Sequence, residues 1–265
     1  MLELLEQLFR QVRAYALSER FNRHQVYHHS PEHTTMQFDR DAEDIIIQGL
    51  TESGLGFEVF TEERPTFSTD PSPAYRIVID PVDGSNNVAR GIMTAGVALA
   101  ILPSDIPILP ENVQWALVGN LFTGTVYQAQ RGGGAFRNGR RCQVSGTQHL
   151  QDCLAGMNFD GRDQASVKAL LAQEPALGSI RRCGSSAIDT VYVASGAYDA
   201  YIDIGKVITG ESFLASLSIV LEAGGIISDE VGKPLQPITS LTQGFSLVIA
   251  STPALHKEII TRLQK

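Results

Sequence analysis

The chain has 265 residues, 43% of them hydrophobic and 19% charged, which is enough apolar material for one large core or two fused modules and too little charge for a tail-rich scaffold. A net charge of −8 and a pI near 5.2 argue against general nucleic-acid binding, because no basic field is available to displace counterions from a phosphate backbone. Cys142, Cys153 and Cys183 are an odd set without C-x-x-C spacing, which disfavours a disulfide framework or structural zinc and points to a reducing compartment.

The first residues, Met-Leu-Glu-Leu-Leu-Glu, carry acids where a secretory signal needs basic residues before a long apolar run. No segment reaches the ~18 uninterrupted apolar residues of a membrane span, so the expectation is a soluble cytoplasmic protein without a membrane partner. Leu2, Leu5, Leu8, Phe9, Val12 and Ala16 recur at helical spacing and predict a helix within residues 1–22. Ala42, Ile45, Ile46 and Leu50 predict a second over residues 41–50. His28-His29-Ser30-Pro31-Glu32-His33 lies between them. Three histidines invite a metal reading, but Pro31 interrupts any regular face and no acidic support is evident, so the segment reads as an exposed loop.

Strands are predicted at residues 76–79, 94–102, 115–120 and 124–130. Gly132-Gly133-Gly134 lacks the Gly-Lys-Ser/Thr of a phosphate loop and reads as a β-turn, while Asn138-Gly139 is a hairpin dipeptide. Past a soft boundary near residues 138–150, helices over 163–173, 186–195, 211–222 and 253–263 alternate with strands over 179–182, 200–204, 225–228 and 246–250. Gly224-Gly225 supplies the stop for the third of these helices. The alternation predicts layered α/β architecture, with an N-terminal α+β module over 1–140 and a C-terminal α/β module over 141–265.

The chemistry concentrates where a buried strand runs into Asp80-Pro81-Val82-Asp83-Gly84-Ser85. Two aspartates three residues apart, with Pro81 fixing the turn, can aim at one point off the strand end. Gly84 permits a tight backbone, and Ser85-Asn86-Asn87 can cap a following helix whose N-terminal N–H groups would seat a phosphate. Glu62-Glu63 closes an upstream apolar stretch, and Asp39 stands just before the second helix. Hard oxygen ligands without histidine or cysteine select magnesium or manganese. Unneutralised, these acids would repel a phosphate ester; with divalent ions bound, the same cluster becomes an electrophilic clamp.

These motifs resemble the inositol monophosphatase family of magnesium-dependent, lithium-sensitive phosphatases, which is related to the fructose-1,6-bisphosphatases. The Asp-Pro-hydrophobic-Asp-Gly-Ser/Thr signature is met by residues 80–85, the Glu-Glu pair by Glu62-Glu63, and the helix-opening Asp by Asp39. The likeness continues through Gly132–Gly139, Cys183-Gly184-Ser185-Ser186-Ala187, residues 194–203 and Glu222-Ala223-Gly224-Gly225. It implies a layered αβαβα sandwich, a small-molecule phosphate ester as substrate and commonly a homodimer. It further implies two or three Mg2+ ions, or Mn2+, held by Glu62, Glu63, Asp80, the Val82 carbonyl and Asp83. Asp39 and Ser85 resemble the pair that activates water beside Glu62, water rather than Ser85 being the nucleophile. Gly84, Ser85 and Asn86 would seat the phosphate, with Asp203, Gly184 and Ser185 lining the rest of the pocket.

Two positions depart from the family pattern. His28 stands where a lysine is common. More consequentially, the family's Trp-Asp pair opens the helix that ends in Glu-Ala-Gly-Gly, and that Asp completes the second metal site; here the same count falls on Ser212, with Glu211 before it. Three arrangements are open. Glu211 can replace the missing acid, Ser212 with a water can hold a weaker or manganese-preferring site, or the site is lost and the chain only binds phosphometabolites. Besides an inositol or sugar monophosphate, a nucleotide 3′-phosphate or fructose 1,6-bisphosphate is an alternative substrate.

Overall fold

The structure, a computed structural model, describes residues 1–29, 34–159, 161 and 163–264. Helix α1 (Leu2–Ala16) leads through the short strands β1 (Val26–His29) and β2 (Thr34–Met36) into α2 (Gln37–Glu52). Strands β3 (Phe57–Thr61), β4 (Arg64–Ser68) and β5 (Tyr75–Asp83) precede the short helix α3 (Ser85–Ala89). An antiparallel run follows: β6 (Gly96–Pro103), β7 (Trp115–Asn120), β8 (Val126–Gln130), β9 (Gly134–Arg137) and β10 (Arg140–Arg141). The second half holds β11 (Leu154–Met157), α4 (Gln164–Ala172), β12 (Ser179–Arg181), α5 (Ser186–Ala194), β13 (Ala200–Ile208), α6 (Gly210–Glu222), β14 (Ile226–Ser228), β15 (Phe245–Ala250) and α7 (Pro253–Leu263).

Strands β3 to β10 form one sheet in the order β10-β9-β8-β7-β6-β5-β3-β4, in which only β3 and β5 pair in parallel. The later strands form a second sheet in the order β12-β11-β13-β15-β14. Because successive side chains on a strand point to opposite faces, each central strand feeds two cores. In β6, Val97, Leu99 and Ile101 pack with Leu5, Leu8, Phe38 and Ile46 of α1 and α2. Ala98, Ala100 and Leu102 face the other way, toward Ile188, Phe213 and Leu217 of α5 and α6. In the second sheet Leu247 and Ile249 join that central core, whereas Val248 and Ala250 meet Leu170, Leu255 and Ile259 of α4 and α7. The resulting layers run α, β, α, β, α, the expected sandwich, with α5 and α6 filling the middle.

Several element boundaries differ from the sequence expectation, each for a local reason. Helix α1 ends at Ala16, the last of its spaced apolar residues, and does not run on to residue 22; Ser18 turns back to hydrogen-bond the Tyr15 carbonyl through its N–H and its hydroxyl. Helix α2 starts at Gln37 instead of 41 because the Met36 N–H donates to Asp39 Oδ2 at 3.0 Å, which places Asp39 inside the first turn. Thr94 and Gly124 fall outside strands; Gly124 sits at φ +71° in a turn held by Asn120 Oδ1. Strand β4 is an edge strand with Pro65 and mostly exposed side chains, so it lacks an alternating apolar signal. His28 is exposed on β1 and not in a loop, while Ser30 to His33 lie outside the described residues.

The glycine-rich turns behave as read. Gly133 N–H donates to the Gln130 carbonyl, and the Glu222 carboxylate accepts from the N–H groups of Gly132 and Gly134, so a side chain of this protein occupies that turn. Asn138 and Gly139 both take positive φ, the two-residue hairpin geometry. No helix among the described residues is long and apolar enough to cross a membrane.

Candidate active site

The sheet brings the sequence motifs together at one end of β3 and β5. A three-residue separation on a regular strand would put Asp80 and Asp83 on opposite faces. The pairing of β5 with β6 slips between them: Asp80 faces Ala98 and Asp83 faces Gly96, so three steps on one strand meet two on the other. This bulge, with Pro81 inside it, brings both carboxylates to the same side. The chain then turns at Gly84, where φ is +105° and an added Cβ would meet the carbonyl oxygens of Gly184 and Thr94 at 3.2 Å. That dihedral strains any residue with a side chain, and the space beside two backbone oxygens is tight for a Cβ.

Glu62 and Glu63 form the two-residue turn between β3 and β4, with Thr61 paired to Arg64. Together with Met36, Asp39, Asp80, Val82, Asp83, Gly84, Ser85, Asn86, Ala89, Gly184 and Ser212 they line a cleft of about 430 Å³. A larger groove of about 640 Å³ between α1 and α2 also holds acids, but these are already engaged. Asp41 accepts from Tyr15 and Gln37, Asp44 from Arg64, and Glu52 from Gln48.

Each cleft acid has a different environment. Asp39 is buried in the first turn of α2 and shares a 2.6 Å hydrogen bond with Ser85 Oγ, which also lies 2.8 Å from the Val82 carbonyl. Burial pushes the Asp39 carboxyl up to about 7, against the opposing hydrogen bonds from Ser85 and Met36. Ser85 has one proton for two acceptors, so both are served at once only when Asp39 is protonated and donates into the Ser85 oxygen. Asp83 Oδ2 accepts from Ser185 Oγ and from the Ala187 N–H, both at 2.6 Å. Burial still raises its carboxyl to about 6.

Asp80 is held less well. One oxygen accepts a 3.2 Å bond from Ser212 Oγ, and burial and the charges of Glu62 and Asp83 push the carboxyl well above its ordinary value. Burial, then Glu211 and Glu63, push Glu62 in the same direction, softened by solvent because Glu62 is exposed along the cleft. Glu63 accepts from Thr35 Oγ1 at 2.7 Å.

Two expected pocket residues lie elsewhere. Asp203 is fully buried within β13 and accepts from Asn158 at 3.2 Å and Tyr201 at 3.3 Å, so it does not line this cleft. Ser185 is also buried, spending its hydroxyl on Asp83 behind the cleft wall. Gly184 does reach the wall, at φ +80° against Asn87, whose amide ties the loop to the Cys183 and Thr94 carbonyls. Helix α3 spans only Ser85–Ala89, so a phosphate would meet individual N–H groups rather than a developed helix dipole. Ser212 faces the cleft, whereas Glu211 is buried beside it with Oε1 accepting from Thr209 Oγ1.

Asp80 Oδ1 and Glu211 Oε2 are buried without a hydrogen-bond partner. A buried acceptor without a donor costs about 1–3 kcal/mol, and a divalent cation is the group that would satisfy a cluster of such oxygens. The donor set is all oxygen, which fits Mg2+ or Mn2+. Among the described residues no three Asp, Glu, His or Cys side chains already converge on one ion-sized point, so the acids would close on an ion by side-chain rotation. The exposed Glu62 turn leaves room for that. Fit therefore rests on the orphaned oxygens and the donor chemistry.

The sequence model of the inositol monophosphatase family matches residues 2–265. This chain belongs to that family. The fructose-1,6-bisphosphatase/inositol-1-monophosphatase of Methanothermobacter thermautotrophicus is 30% identical over 87% of this chain and 83% of its own. The Nus factor SuhB of Pseudomonas aeruginosa is 29% identical over 86% of this chain and 82% of its own. Among solved structures, the extragenic suppressor protein suhB of Bartonella henselae superimposes with a TM-score of 0.79 at 25% identity, covering 100% of this chain and 97% of that one. As a family member the protein is a phosphatase, a phosphoric monoester hydrolase.

The sequence reading missed Thr35, Glu43 and Thr61 as contributors to this site's architecture. For Glu43 a signal existed: it follows Asp39 by four residues, so both share one helix face.

Proposed function

We propose that this member of the inositol monophosphatase family hydrolyses a small monophosphate ester whose remainder is uncharged and rich in hydroxyls, such as a cyclic polyol or a sugar. The observation that supports it is the cleft lining, which among the described residues contains five acids, three hydroxyl or amide side chains and no lysine or arginine. A phosphate can approach such a wall only with divalent cations bound, and a second phosphate on the substrate would find no cationic side chain among the described lining residues.

Glu62, Asp80, Asp83 and the Val82 carbonyl would hold Mg2+ or Mn2+, with Glu63 at a weaker position and Glu211 supplying the acid missing at Ser212. When bound, the cations offset the phosphate charge and make water more acidic. The protein's own groups do the rest. Gly84, Ser85 and Asn86 seat the phosphate oxygens at the turn into α3. Ser85 orients the attacking water and relays its proton toward Asp39, whose burial makes it a base suited to neutral pH.

The test is phosphate release from matched monoesters and bisphosphates, with Mg2+ and with Mn2+. Turnover of inositol or sugar monophosphates above fructose 1,6-bisphosphate and nucleotide 3′-phosphates is expected. Preference for a bisphosphate would overturn the substrate assignment, and full turnover after exhaustive chelation would overturn the metal assignment.

A further inference from the structure

The Glu62-Glu63 turn is an unusual hairpin loop. Two-residue loops favour φ above zero at the first central position or at both, to match the twist of the flanking strands. Asn138 and Gly139 meet that rule, but neither Glu62 nor Glu63 does, and the β3–β4 ladder is irregular between Val59 and Thr61. The turn also carries two adjacent acids close to Asp39, Asp80 and Asp83, whose charges repel it. Local preference and electrostatics both oppose this placement, so something outside the hairpin must hold it.

Glu43 does so. Its side chain is fully buried one turn along α2 from Asp39. Oε1 accepts from Thr61 Oγ1 at 2.6 Å, and Oε2 accepts from Arg64 Nε at 2.5 Å. Thr61 and Arg64 are the paired residues on either side of the turn. Arg40 completes the hold, donating to the Glu43 carboxylate at 3.2 Å and to the Glu63 carbonyl at 2.9 Å. Arg64 also reaches Asp44 of the same helix. The turn is thereby gripped at both ends and at its second residue by one helix, and that helix carries Asp39.

We propose that Glu43 is a positioning residue that fixes the cation-binding Glu62-Glu63 turn in register with Asp39. Glu43 itself does not line the cleft. It holds the turn in place before a cation arrives, against the repulsion of the neighbouring acids. The inference rests on the cation-binding assignment of Glu62 made above, and the experiment separates the two.

Mg2+ binding to the full chain is measured calorimetrically for Glu43→Gln, Arg40→Gln, Glu62→Gln and Arg262→Gln, with hydrogen exchange followed at residues 61–64. Glu43→Gln should weaken Mg2+ about ten-fold or more, as loss of a ligand's supporting partner does. It should also speed exchange at the turn, while kcat at saturating Mg2+ stays near wild type. Arg40→Gln should act in the same direction and less strongly. Arg262, a buried arginine bonded to Glu258 and the Pro175 carbonyl in the outer layer, is the structural control: Arg262→Gln should lower the Tm and leave Mg2+ affinity unchanged. Wild-type affinity and exchange in both Glu43→Gln and Arg40→Gln, with Glu62→Gln weakened, would overturn the positioning role. Unchanged affinity in Glu62→Gln would overturn the metal assignment instead. Should Glu43→Gln fail to fold, the partly exposed Arg40 decides the question by itself.

Discussion

Asp80 and Asp83 leave the same strand three residues apart, yet the protein treats them differently. Asp83 is tied to the start of α5 by a hydroxyl and a backbone N–H at 2.6 Å each. Asp80 has one 3.2 Å contact to Ser212 and one buried oxygen with no partner. The Asp83 end is satisfied by the fold, whereas the Asp80 end, with Glu62 and Glu211, is left for something the fold does not supply. A carboxylate that the protein satisfies contributes stability; one left unsatisfied marks where a ligand must contribute it.

The comparison can be broken most directly at the strand itself. Asp80→Asn and Asp83→Asn should each lower Mg2+-dependent phosphate release about 100- to 1,000-fold, the scale of losing a preorganised electrostatic contact. A near-wild-type rate in either would remove that acid from the reaction. The pair should then separate in metal-free thermal unfolding. Asp80→Asn raises the Tm by removing an unsatisfied buried charge, while Asp83→Ala lowers stability by about 1–3 kcal/mol because Ser185 and the Ala187 N–H lose their acceptor.

Asp39 sharpens it through pH. Its folded-state carboxyl, pushed up by burial from the ordinary carboxylate range to about 7, binds a proton more tightly than the unfolded chain does. The stability it contributes is therefore fully present below its ordinary value and lost as pH rises through about 7. Metal-free protein should lose stability between these values, and Asp39→Asn should flatten that slope while reducing turnover about 100-fold or more. An unchanged slope would show that Asp39 is not held protonated by its surroundings.

The departure at residues 211 and 212 gives a smaller effect. Ser212→Asp should tighten Mg2+ binding about ten-fold, and Glu211→Gln should weaken metal dependence more than Ser212→Ala does. The reverse ranking would mean that Glu211 stays turned toward Thr209 and Ser212 is the ligand. Smallest of all, Ser85→Thr keeps the hydroxyl that meets Asp39 and should retain activity within a few-fold, whereas Ser85→Ala should not.

Much of this was legible in the chain. The succession of strands and helices and the helical spacing in α1 pointed to the layers, and the Asp80–Ser85 signature with Glu62-Glu63 pointed to the acids of the cleft. Asp203 was misplaced because a matching motif carries no information on which way β13 presents its side chain. Glu43 was passed over because one acid among several on a polar helix looks solvated until Thr61 and Arg64 are seen to reach it.

The sequence by itself therefore determined what depends on local spacing: the periodicities that set the sandwich, the glycine that lets the chain turn after Asp83, and the inventory of oxygen ligands. Only the tertiary structure decided which acids share a face, since a single bulge opposite β6 realigns Asp80 with Asp83. It also decided which acids are already satisfied, because the donors to Asp83, Glu43 and Asp39 come from segments up to 104 residues away. Hydrogen-bond satisfaction is a property of neighbours in space, and here it separates the acids that the fold satisfies from Asp80 and Glu211, each left with an oxygen that has no partner.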